Sequence, residues 1–107
     1  MDLDIIEDAD VDERAVLLIS GSIDLDSREK LLAAGRESLG RDDVDGLILD
    51  LAGVTFMDST GIGAFVELSR DAEDREASFA IRNPSPRVQR LVELVGLTDV
   101  WAPSTDS

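Results

Sequence analysis

The chain has 107 residues, is 43% hydrophobic, and sets 24 acidic residues against 10 basic ones for a formal net charge of −14. This length suits one compact domain, and the apolar share, spread along the whole chain, is enough for one core. The charge opposes phosphate backbones and anionic headgroups, which need clustered Lys and Arg, so neither nucleic acid nor a membrane is an expected partner.

The chain contains no Cys and no His. Disulfides and thiolate metal sites are excluded, and the commonest general base and the commonest imidazole ligand are missing from any mechanism. No cofactor and no metal is expected. No apolar run approaches the ~20 residues of a membrane helix, and Met1-Asp2-Leu3-Asp4 lacks the charge pattern of a secretory signal, which predicts a cytoplasmic protein.

In chain order, residues 3–7 and 15–20 are apolar runs separated by the polar segment 8–13, which predicts two strands joined as a hairpin. After Gly21, Asp26 and Glu29 have the spacing of a capping box and predict the start of a helix, with Leu31, Leu32, Gly35 and Leu39 on one face. Residues 40–45 form its exit. The nearly continuous apolar run 46–51 predicts a strand buried on both faces. Residues 52–58 read as a turn into a second helix that runs to about Asp74, with Ile62, Phe65, Val66, Ser69 and Ala72 facing inward.

Residues 77–82 predict a further strand, and Ser85-Pro86 an N-cap and first position for a third helix with Val88, Leu91, Val92 and Val95 buried. Gly96 is expected as its C-cap, and 97–101 as a last edge strand before a polar tail at 102–107. The order ββαβαβαβ predicts an α/β fold, a mixed sheet with helices packed on it, in a single domain with its core at about 3–101.

The segment Asp58-Ser59-Thr60-Gly61-Ile62-Gly63 concentrates an acid, two hydroxyls and two glycines where a turn meets a helix. Four roles fit. Asp58 or Ser59 can simply cap the helix while the glycines relieve a tight backbone. Gly61-x-Gly63 can line a phosphate loop, although the third glycine of the dinucleotide pattern and the Gly-Lys-Ser/Thr of the P-loop are both missing. Ser59 can be a nucleophile, for which only Asp58 or the distant Lys30 could act as base. Or Ser59 can accept a phosphate at a helix terminus whose dipole tolerates the added charge.

Phe56-Met57-Asp58-Ser59-Thr60-Gly61-Ile62-Gly63 resembles the signature of STAS domains, specifically of bacterial anti-sigma-factor antagonists, in which a serine phosphorylated after the aspartate matches Ser59. Gly21-Ser22-Ile23-Asp24 is similar to the family's Gly-x-Leu-Asp turn, and 85–97 to its third helix. Related domains carry another short helix after the last strand, whereas this chain ends in the tail 102–107.

The resemblance implies a non-enzymatic STAS-like switch. The unmodified domain binds an anti-sigma factor that is also a serine/threonine kinase, releasing the sigma factor. Phosphorylation of Ser59 ends that binding, and a protein phosphatase restores it. Asp24, Asp58, Thr60, Gly61 and Gly63 would then form the partner-binding surface. The alternative is a STAS scaffold or regulatory subunit of a stress-signalling or transport complex, without the serine cycle.

Overall fold

The computed structural model describes residues 3–94. β1 (Leu3–Val11) and β2 (Arg14–Ile23) pair antiparallel, as two apolar runs around a polar segment predict. The ladder extends past the apolar runs into polar sequence because β1 is an outer strand, where Asp4, Glu7, Asp8 and Asp10 keep their charges in water.

The two residues joining these strands, Asp12 and Glu13, both have positive φ, 52° and 66°. Successive left-handed residues give a two-residue turn whose twist matches its flanking strands, a job done best by Asn-Gly. Each L residue held there costs about 1 kcal/mol. Replacing Asp12 with Asn and Glu13 with Gly is expected to raise stability by about 1 kcal/mol, read as a higher urea midpoint at unchanged slope. An unmoved midpoint would contradict strain at this turn.

β3 (Gly46–Met57) lies parallel beside β2, and β4 (Ser78–Arg82) parallel beside β3, giving the order β1-β2-β3-β4. Parallel neighbours need helical crossovers. These are α1 (Arg28–Leu39) between β2 and β3 and α2 (Ser59–Asp74) between β3 and β4, with α3 (Pro86–Leu94) following. The order among the described residues is ββαβαβα, and the sheet is mixed with helices packed on it, as expected. Val95, the Gly96 cap and the strand at 97–101 lie outside the described residues.

One cluster holds the core. Ala15, Leu17, Ile19 and Ile23 of β2 and Leu47, Leu49 and Leu51 of β3 meet Leu31, Leu32 and Leu39 of α1 and Ile62, Phe65 and Leu68 of α2. Burying such side chains stabilises by roughly 1.5–3 kcal/mol each. Arg36 ties the helices together on the outside, reaching Asp71 at 2.6 Å and Glu67 at 3.1 Å, while Arg28 pairs with the same Glu67.

Three local expectations are corrected. Residues 52–57 are not a turn but the second half of β3. Two register shifts in its pairing with β2, one between Leu18 and Ser20 and one between Gly21 and Ser22, each insert an extra residue on β3 and break the alternation that marks a strand. Gly53 sits at the first shift, where a Cβ would lie 2.6 Å from the Cβ of Ser20.

Asp26 does not cap α1, which begins at Arg28 with Ser27 at its N-cap. The reciprocal pair lies two residues earlier. The Asp24 N–H donates to Ser27 Oγ at 3.0 Å, and the Ser27 N–H donates to Asp24 Oδ1 at 3.1 Å. The buried Ser27 hydroxyl also donates to the Ser22 carbonyl at 2.9 Å, which holds the turn where Asp26 is exposed.

In α2 the buried stripe is Gly61, Ile62, Ala64, Phe65, Leu68 and Ala72, while Val66 and Ser69 are only half-buried. The helix packs on both the sheet and α1, so its apolar face turns toward Ala64 and Leu68. The Ser85 cap of α3 stands as expected, with the Val88 N–H donating to Ser85 Oγ at 3.2 Å. Val88 and Val92 are buried and Leu91 half-buried.

Candidate functional site

β2 and β3 run out together. Ile23 lies opposite Met57 in the parallel register, so the next residues, Asp24 and Asp58, open two adjacent loops at the C-terminal ends of the strands. Open parallel sheets place their sites at this edge. The Asp58 N–H donates to the Ile23 carbonyl at 3.4 Å, stitching the loops at their base.

Asp58 is the N-cap of α2. Its backbone is extended, and its carboxylate accepts the Thr60 N–H at 2.9 Å, while its carbonyl accepts the Gly61 N–H at 3.0 Å. Such a cap contributes about 1 kcal/mol. Of the capping alternatives, then, Asp58 has the role and Ser59 does not. Ser59 is the first helical residue and is exposed, and its hydroxyl has no hydrogen-bond partner among the described residues.

This geometry does not make an activated nucleophile, which needs a base on the hydroxyl. The neighbouring carboxylate is turned onto a backbone N–H instead. An exposed, unengaged hydroxyl can still accept a group from an outside enzyme, and the first turn of a helix favours the negative charge that a phosphate would bring.

The two glycines differ. Gly61 is buried against the ends of both strands, where a Cβ would lie 2.4 Å from Met57 Cγ and 2.9 Å from Ile23 Cγ2. Gly63 has open space, with nothing within 4 Å of a built Cβ, so close backbone packing explains Gly61 alone. Thr60 is half-buried, and Asp24 is committed to its own turn through Ser27.

The structure adds neighbours that sequence reasoning missed. Beside the Ser59 loop, Phe56, Met57, Asp58, Arg87, Arg90, Leu91 and Leu94 line a groove of about 320 Å³ between the end of β3 and α3. Arg87 and Arg90 are three apart on one helix, a spacing that places them side by side and could have flagged them. In the neighbouring loop after β2, Leu25 is 74% exposed, an apolar tip between two aspartates.

Asp50 is also set apart, a carboxylate within the apolar run of β3 and only 7% exposed. Burial pushes its pKa up, but the Ala52 N–H, Arg82 and Asn83 outweigh this and hold the carboxyl below the usual range. Their distances are 3.0, 2.9 and 3.2 Å. The Ala52 bond ties this carboxylate to the first register shift of β3. Among the described residues no group of three or more carboxylates is placed to hold a metal, and no helix is long and apolar enough to cross a membrane.

A sheet opened by a hairpin, crossed by helices, with its third strand delivering Asp-Ser-Thr-Gly to a helix start, defines a STAS domain. The family model described as "Mlab, STAS domain" matches residues 6–102, and the chain belongs to that family. The anti-sigma-B factor antagonist of Bacillus subtilis is 36% identical over 86 residues, covering 77% of this chain and 73% of that protein.

That of Listeria monocytogenes is 38% identical over 58 residues, covering 52% of this chain, which spans about half (51%) of that relative's length. The anti-sigma factor antagonist SpoIIAA in its unphosphorylated form superposes with a TM-score of 0.79 at 23% identity, over 96% of this chain and 90% of that one. Bacillus SpoIIAA in the phosphorylated form gives a TM-score of 0.73 at 22% identity, over 96% and 93%. These two show the shared fold.

Proposed function

We propose that this chain is an anti-sigma factor antagonist that works by partner switching at Ser59. Unphosphorylated, it binds an anti-sigma factor serine/threonine kinase and frees the sigma factor. Phosphorylation of Ser59 ends the complex, and a phosphatase acting on phospho-Ser59 resets it. The carrying observation is the exposed Ser59 hydroxyl at the first turn of α2, relieved of capping by Asp58. The anti-sigma factor antagonists among its relatives support the reading, as does the existence of SpoIIAA in both phosphorylation states.

Asp58 and Thr60 shape the loop, Gly61 seats it on the strands, and Gly63 and Asp24 complete the surface presented to the kinase. The charge argument has enough magnitude. A phosphoserine brings about −1.5 to −2 beside Asp58 and near Asp24, on a surface that must lose water to bind. Two unit charges ~4 Å apart at an effective dielectric of ~20 interact by ~4 kcal/mol, and ~1.4 kcal/mol changes an affinity tenfold.

The test uses the serine kinase anti-sigma factors of the source bacterium with ATP. Wild type should gain one phosphate by intact mass and Ser59→Ala none, while Ser59→Asp should bind the kinase at least about tenfold more weakly than wild type. Phosphate on Ser59→Ala, or equal affinities for all three proteins, would overturn the proposal.

The alternative is a STAS scaffold or regulatory subunit of a stress-signalling or transport complex without a serine cycle, which the STAS family match over residues 6–102 accommodates equally. It predicts no mass gain with any such kinase and unchanged partner binding in Ser59→Ala and Ser59→Asp.

A further inference from the structure

We infer that the groove between the end of β3 and α3 receives an acidic segment of the protein partner, held by Arg87 and Arg90 and anchored by an apolar side chain. The inference deepens the proposed function and rests on its premise that this edge of the sheet binds a protein. It names a surface and a chemistry that Ser59 does not supply.

The arginines are the starting point. Seven of the ten basic side chains already have a carboxylate or carbonyl partner within the chain. Among the described residues Arg70, Arg87 and Arg90 have none, although the chain carries 24 acidic residues. Two of those three line one groove. Among the described residues the only carboxylate in the lining is Asp58, and its Oδ1 is engaged by the Thr60 N–H. The groove is therefore a locally cationic spot on an acidic protein.

The other described lining residues are apolar. Phe56 and Leu91 are half-buried, Met57 is buried, and Leu94 is 76% exposed at the rim. Guanidinium forks over an apolar floor suit a segment that offers carboxylates for charge-assisted, bidentate bonds and a Leu or Phe for the floor. The net charge of −14 does not forbid this, because at physiological salt charges beyond ~8 Å are largely screened and the nearest groups decide. A phosphate on Ser59, next to Asp58 in the lining, would compete for the same two arginines. That links the groove to the switch.

The test titrates a short synthetic peptide alternating Glu and Asp with Leu and Phe into the full 15N-labelled chain. Shifts should centre on Phe56, Asp58, Leu91 and Leu94. The variant Arg87→Glu with Arg90→Glu should bind at least about tenfold more weakly, since both charge-assisted bonds are replaced by repulsion, whereas Arg70→Glu should bind as wild type does. Both groove arginines are exposed, and unchanged circular dichroism of the double variant will confirm its fold.

Shifts centred elsewhere, equal binding by the double variant, or no binding at millimolar peptide would overturn the inference. The titration contains no kinase and no phosphate. A failed titration beside a normal mass gain at Ser59 removes the groove alone, and the converse removes the serine cycle alone.

Discussion

Asp50→Ala is expected to cost about 3 kcal/mol, a large part of the 5–15 kcal/mol that holds a domain of this size together. The substitution leaves Arg82 facing a buried space without its counter-charge and strips the Ala52 N–H and Asn83 of their acceptor. Losing a charged partner costs more than the pair contributed, because the half-buried Arg82 regains only part of its hydration. Asp50→Asn, which keeps an acceptor, should cost less.

The effect has a pH signature. The folded carboxyl is held below its usual range, so its contribution is fully present above the unfolded value of ~3.9 and is lost as pH falls through the folded value. Urea unfolding of wild type and Asp50→Ala should thus show the full gap at neutral pH and a shrinking gap below about pH 4. A gap under about 1 kcal/mol at neutral pH, or one that does not change with acid, would show that the cluster does not stabilise the fold in this way.

The two glycines at the start of α2 should respond with opposite signs. Gly61→Val forces a branched side chain into atoms 2.4 to 2.9 Å from its Cβ, and the Met57 that would have to move is itself only 3% exposed. Overpacking of this kind costs about 3 kcal/mol, more than the ~1 kcal/mol of helix propensity that leaving glycine returns. Gly63→Ala meets nothing within 4 Å and should gain about 1 kcal/mol from propensity alone.

Thermal unfolding should therefore lower the midpoint for Gly61→Val and raise it for Gly63→Ala. A stabilising Gly61→Val would contradict the packing account. Kinase affinity measured on the stabilised Gly63→Ala then isolates its contact role. Weaker binding at higher stability places Gly63 against the partner, and unchanged binding removes it from that surface.

Much of the fold could be read from the chain because its elements carry strong periods. β2 is one apolar run, and its core positions Ala15, Leu17, Ile19 and Ile23 are all odd-numbered, with Gly21 the gap in the series. β3 begins the same way at Leu47, Leu49 and Leu51, then continues through Val54 and Met57 in steps of three. Each long step is one extra residue at a register shift. No window of period two finds such a strand, so its second half read as a turn. α1 misled differently, since Asp26 and Glu29 have the spacing of a cap while the pair that forms is Asp24 with Ser27.

At the site, the motif located Ser59 but could not divide the labour between Ser59 and Asp58, which depends on where one carboxylate points. The groove was less legible still. Phe56 and Asp58 are about thirty residues from Arg87 and Arg90, and only the crossing of β3 and α3 brings them together. Their helical spacing was visible, but the surface they face was not.

The cap at Asp58 has a consequence for how a signal could be stored. Because the aspartate satisfies the Thr60 N–H by itself, the serine hydroxyl carries none of the load of holding α2 in place. On the proposed reading, a covalent mark there would be written and erased without touching the cap that holds the helix. The record would reside in the bond itself, and a partner could read it from the surface without the molecule having to unfold or rearrange to display it.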